Sequence, residues 1–169
     1  MRSNRPLPLL ALGALAMVLA CGTDPVAGDA ATYTAAMQST LEANRELANE
    51  FLQVAALIHK REIDDAGIVQ RWNKDIISMA EDLTDQANTV QPATPALQAP
   101  HASLVLSWTD RADSYKEMKE AYESNDSDAF EDAWQKNVEA KITEEQYFDD
   151  VNRVLGPYGY RLEQFPPSK

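Results

Sequence analysis

An all-α fold, an antiparallel up-down bundle of four helices with a short aromatic C-terminal tail, is predicted by three observations. Apolar residues recur every three or four positions through four long segments. Capping and turn-forming residues separate those segments. No stretch alternates apolar and polar residues convincingly enough for a strand.

The first predicted helix covers 30–60. Tyr33, Met37, Leu41, Ala48, Phe51, Ala55 and Ile58 mark its apolar stripe, Asn44 shares that stripe, and no Gly or Pro interrupts it. A short turn near 61–63 leads to the second, 64–90, marked by Ile68, Trp72, Ile76, Met79, Leu83, Ala87 and Val90. Asp64 and Asp65 suit the positive end of its dipole, while Gly67 weakens its first turns. Pro92 and Pro95 break the chain there. The third helix, 96–124, carries Leu97, His101, Leu104, Trp108, Arg111, Tyr115, Met118 and Tyr122 at alternating steps of four and three, the spacing of bundle packing. Pro100 fits only its first turns. The polar run from Ser124 to Asp128 offers N-caps for the fourth, 128–155, with Phe130, Trp134, Val138, Phe148, Val151 and Leu155 on its apolar face. Gly156 and Pro157 end it. The segment from Tyr158 to Phe165 is expected to fold back over one end. Segments of this length span about 40–46 Å, and short connections within each pair favour antiparallel neighbours.

The chain has 169 residues and 15 Lys and Arg against 27 Asp and Glu. Met1 to Arg5 carries two arginines and no acid. An apolar run of about 13 residues follows from Leu7 to Leu19, the length of a signal-peptide core and short of the ~20 needed to span a bilayer. It ends in Val18-Leu19-Ala20-Cys21. These residues resemble the bacterial lipoprotein lipobox: an aliphatic residue, a tolerant position, a small residue, then cysteine. The resemblance implies cleavage between Ala20 and Cys21, diacylglycerol on the Cys21 sulfur and often a further acyl chain on the new amine. Two or more chains anchor stably where one is marginal. Gly22, rather than the aspartate of inner-membrane retention, points to the outer membrane if the source has two. The expected organisation is a signal peptide over 1–20, a lipidated flexible linker over 21–29 and a bundle domain over 30–169.

Without 1–20, 13 Lys and Arg remain against 27 acids, a net charge of −14. Such a chain repels nucleic acid, whose binding depends on neutralised phosphates, and an anionic membrane surface. The membrane link would then come from the lipid.

The one cysteine excludes an internal disulfide, a thiolate zinc site and a Cys-x-x-Cys pair. The Glu-x-x-His motif of di-iron bundles is absent, since Gln98 and Ala56 lie three residues before His101 and His59. In the predicted topology the two histidines sit about 30 Å apart, too far to share a metal. His101, on the apolar stripe, is a candidate haem or proton-transfer ligand, or a hydrogen-bonded core histidine. Asn44, Arg111, Asn137, Lys141 and Glu144 are polar residues at or near mid-helix apolar phases, with Asp75 beside the stripe of its helix. They either frame a pocket in which Arg111 or Lys141 meets an anion, or form a register-fixing polar layer. Trp72, Trp108 and Trp134 read as core anchors. No Gly-x-Ser-x-Gly or phosphate-binding loop occurs, and neighbouring acids such as Glu144 and Glu145 point about 100° apart. The expected function is a non-enzymatic, membrane-anchored module without cofactors, acting through protein contacts at the cell envelope. The alternative is a small-molecule or haem-binding bundle built on His101, Arg111 and Lys141.

Overall fold

Helix formation begins earlier than the sequence pattern suggests. The computed structural model describes residues 24–164, so the predicted leader, the Cys21 lipidation site and Phe165 lie outside them. Helix α1 runs Pro25–Lys60, which makes most of the expected flexible linker helical. The cause is local: the Asp24 carboxylate caps the Val26 N–H at 2.9 Å, and Pro25 at the first turn has the right φ and lacks only an N–H that would be unpaired. Asp29 fixes that turn further by accepting the Ala93 and Thr94 N–H groups at 3.1 and 2.6 Å.

Helix α2 (65–89) is α-helical over Asp65–Arg71, passes through a π-helical turn over Trp72–Ile77, and resumes as Ser78–Thr89. Helices α3 (Pro95–Ser124) and α4 (Ser127–Leu155) follow, then a 3₁₀ turn over Gly156–Tyr158. Among the described residues no strand occurs, and no helix is long and apolar enough to cross a membrane. The protein is a helical bundle of four helices.

The π turn has a readable origin. Ile68, Trp72, Ile76 and Ala80 are all buried, three successive steps of four. Each such step overshoots a full α-helical turn by about 40°, so the stripe would drift about 120° off the core by Ala80. One extra residue accommodated between Trp72 and Ile77 removes the drift and lets Ile76 and Ile77 both be buried. Omitting one residue there gives buried positions from Ile68 to Ala87 at steps of four, three, four, three and four, the regular bundle spacing.

The backbones of α3 and α4 lie closest together. Small buried residues serve this approach: Ser107, Ala112, Ser114 and Ala121 on α3, Ala133 and Ala140 on α4. The backbones of α1 and α4 barely approach each other, and long side chains fill the gap. After α4, Asn152 clamps the backbone of Leu162, donating to its carbonyl and accepting its N–H, both at 2.8 Å. Leu162 is buried, whereas Tyr160 stays exposed. The Tyr158 hydroxyl donates to Asp24 at 3.2 Å, joining this segment to the start of α1.

Deleting the exposed Lys74 should convert the π turn to regular α-helix and keep both flanks in register. The melting temperature should then change by no more than about 4 °C. Deleting the exposed Asp82 instead rotates Leu83 and Ala87 about 100° out of the core. That should cost about 3 kcal/mol or more, and thermal denaturation of the two variants separates the outcomes.

Candidate functional site

At mid-bundle, three helices contribute to one closed polar triad. Glu144 of α4 is buried, and the Arg111 guanidinium of α3 donates to its Oε2 from Nη1 at 3.0 Å. Asn44 of α1 donates from Nδ2 to Glu144 Oε1 at 2.7 Å, and its Oδ1 accepts from Arg111 Nη2 at 2.7 Å. The Arg111 guanidinium also sits 5.8 Å from the Trp108 ring centroid. Its Nε and the Trp108 Nε1 are buried without a hydrogen-bond partner. Both oxygens of the carboxylate are therefore occupied, and the guanidinium faces protein acceptors on its two terminal nitrogens. This is a register-fixing layer and not an open anion site. Lys141 does not belong to it: the side chain is exposed, offset about 60° on the helical wheel from Glu144. Asn137 donates to the Ser114 hydroxyl at 3.0 Å, and Asp75 pairs with Arg71 at 2.8 Å. Arg71 also pairs with Glu50 of α1.

His101 occupies a second polar cluster, nearer the start of α1. Its Nε2 lies 3.1 Å from the Ala87 carbonyl and its Nδ1 lies 3.0 Å from the Tyr33 hydroxyl. The Tyr33 hydroxyl lies 2.9 Å from that of Tyr147. A carbonyl only accepts, so Nε2 carries the proton. Neutral His101 then accepts from Tyr33 at Nδ1, and Tyr33, its one proton used, accepts from Tyr147. A directed chain of hydrogen bonds thus runs from α4 through α1 and α3 to the end of α2. Burial pushes the His101 pKa down and the Tyr33 and Tyr147 pKa values up, so all three stay neutral near pH 7. His101 also contributes to the wall of a cleft of about 640 Å³ beside Pro92, Gln98 and Leu106, but both its ring nitrogens are engaged by protein. A haem or metal would have to displace one of those bonds. Among the described residues no group of three His, Cys, Asp or Glu side chains is placed to hold a metal ion.

The third feature was not expected. Toward the end of α1, Phe51, Val54, Ile58, Trp72, Phe130 and Trp134 line an open groove of about 360 Å³ with His59 as its one titratable wall residue. It is floored by an aromatic cluster. Phe51 stacks on Tyr115 at 5.5 Å and on Trp134 at 6.3 Å between ring centroids, and meets Trp72 edge-on at 6.0 Å. Trp72 opens the π turn, and its Nε1 donates to the Tyr115 carbonyl at 2.9 Å. Trp134 is 40% exposed and Ile58 37% exposed.

Trp108 and Trp72 are core residues as the sequence suggests, but Trp134 is not. In the second half of α1 the buried apolar positions are Leu47 and Val54, while Ala55 and Ile58 are exposed. The apolar face there is wider than one stripe, and its outer edge is left on the groove. In α4 the expected Phe148, Val151 and Leu155 are buried, whereas Trp134 is exposed and the core position beside it is Ala133. A small alanine next to a large tryptophan draws the eye to the wrong position there. No family model, curated protein or solved structure matches this chain.

Arg111→Met strands Glu144 without its cation and should destabilise the fold by about 3–5 kcal/mol in chemical denaturation. Replacing the whole triad, Asn44→Leu, Arg111→Met and Glu144→Leu, should recover most of that loss. For His101, the unfolded chain binds a proton that the folded chain refuses. Its contribution is full above about pH 6.5 and is lost as pH falls from there toward the lowered folded value. The drop in melting temperature between pH 7 and pH 5 should therefore be smaller in His101→Gln than in the parent protein.

Proposed function

We propose that this chain is a membrane-anchored, non-enzymatic lipoprotein module that works through protein contacts at the cell envelope, tethered by lipid on Cys21. The observation that carries the contact reading is the aromatic groove: an apolar surface with a half-exposed tryptophan, the residue type most enriched where binding energy concentrates. The anchor reading rests on the arginine-flanked apolar run and Val18-Leu19-Ala20-Cys21. The net charge of −14 beyond Ala20 leaves lipid as the means of membrane attachment. The alternative, a ligand-binding bundle, loses support because His101 and Arg111 are already engaged by protein groups and Lys141 stands apart.

The same reading takes the helices as an antiparallel up-down array closed at one end by the C-terminal segment. Supporting this is the order of partners along the bundle. From Asp29 to Tyr33 to Asn44 to Phe51 on α1, contacts climb from Thr94, which precedes α3, to His101, Arg111 and Tyr115 along it. They descend on α4 from Tyr147 to Glu144 to Trp134.

Metabolic labelling with an alkyne fatty acid, followed by membrane fractionation, tests the anchor. The wild-type chain should carry label and sediment with membranes. Cys21→Ala should lose the label and appear as released protein or uncleaved precursor. An unlabelled wild-type chain removes the lipoprotein reading.

A further inference from the structure

We infer that a polar trough on the flank of the bundle, at the opposite end of α1 from the aromatic groove, binds an elongated, hydroxylated primary amine about the size of an amino disaccharide. The inference rests on neither the contact reading nor the anchor. The trough opens between the first half of α1 and the end of α2 and encloses about 320 Å³. It follows α1 from Asp29 to Thr40, a length of about 16 Å. Its walls carry the hydroxyls of Thr32, Ser39 and Thr89 and the amides of Gln86 and Gln91. Thr40 lies on its floor, 3% exposed, and among the described residues no hydrogen bond engages its hydroxyl. A buried hydroxyl without a partner costs stability, and a ligand that bonds to it removes that cost.

The chemistry of the lining selects the occupant. Thr32 and Thr89 spend their protons on the Gly28 and Gln86 carbonyls, at 3.0 and 2.7 Å, so each offers only its oxygen. Asp29 is the one charged lining residue. Its oxygens accept the Ala93 and Thr94 N–H groups, and among the described residues no cation pairs with it. Burial raises its pKa, but the bonds from Thr94 and Ala93 outweigh that effect and hold it below the usual value, so the carboxylate is ionised at pH 7. No Lys, Arg or His lines the trough. Between Lys74 and Arg111 the chain has five acids and neither Lys nor Arg. Arg45 lies five residues past Thr40 and about 140° around α1 from it. Lys116, which reaches α2 from α3, is paired with Glu81 and Asp113. The last turn of α2, at Gln86 and Thr89, adds the negative end of its dipole, while the first turn of α1 lies before Asp29. An anion is therefore repelled here, and one carboxylate is too few for a metal ion. An ammonium group gains the Asp29 charge, and hydroxyls along the same molecule meet the oxygens of Thr32, Thr89 and Thr40.

The test titrates the isotope-labelled full chain, in mild detergent, with the disaccharide of unacetylated glucosamine and follows backbone amide signals by NMR. Cellobiose and the N-acetylated disaccharide share its shape, lack the ammonium groups and serve as controls. Saturable shifts are expected at Asp29, Thr40 and Gln86, and both controls should bind at least about tenfold more weakly. Asp29→Asn keeps an acceptor for one of the two N–H groups and should weaken binding by about tenfold or more. Ser39→Lys sets a cation on the wall at an exposed position, so folding is retained, and should weaken binding as much. Thr40→Val should weaken binding about fivefold while raising the melting temperature. A hydroxyl with no part in binding would give the rise in melting temperature alone. No saturable shift, shifts spread over exposed acids outside the trough, controls that bind as well as the amine, or binding unchanged in Ser39→Lys and Thr40→Val overturns the inference.

Discussion

A carboxylate removed from water must be matched, and Glu144 is the residue on which the middle of this bundle is set. Its two oxygens are taken by Arg111 and Asn44, and those two residues are bonded to each other. Sliding α1, α3 or α4 by one turn would leave a charge or an amide facing apolar side chains. The close approach of α3 and α4 through alanines and serines follows from the same alignment, because small residues tolerate many offsets and do not choose among them. The polar triad supplies the choice, in the manner of a lone polar residue in a coiled-coil seam.

Moving from the triad in either direction, the gap between α1 and α4 is handled in two ways. On the Tyr33 side, the hydroxyls of two tyrosines and the imidazole of His101 fill it with a satisfied hydrogen-bonded chain. On the Phe51 side, stacked rings fill it only partly, and the remainder is the groove. The π turn belongs to this second solution. It places Trp72 where its indole N–H reaches the Tyr115 carbonyl and its ring meets Phe51 and Phe130.

Four helices were legible because their apolar residues recur on a helical period and their ends carry Asp64, Pro95, Asp126 and Gly156. The polar triad was legible in part: Asn44, Arg111 and Glu144 stand out as polar residues on apolar phases. Lys141 stands out in the same way, and only the helix's actual rotation separates it from them. The early start of α1 was hidden because Gly28 and Pro25 resemble linker residues, while the bond from Asp29 to Thr94 spans 65 positions. The π turn did leave a trace, in the unbroken steps of four from Ile68 to Ala80, but a period of four passes easily for one of 3.6. The groove left none, because an unfilled space depends on helix separation, which no one-dimensional pattern records.

The length of α1 fixes a height. Its 36 residues make a rod of about 54 Å. Only Gly22 and Thr23 separate Cys21 from the capping Asp24, a reach of at most about 10 Å. For a chain held by lipid at Cys21 and standing on the start of α1, this rod is a ruler. The residues at 51–58 would then stand roughly 40–50 Å above the bilayer surface. A partner rooted in the same leaflet would have to rise to that altitude, whereas one hanging from an opposing layer would meet it on the way down. A chain anchored in this way would select its contacts by elevation as well as by chemistry.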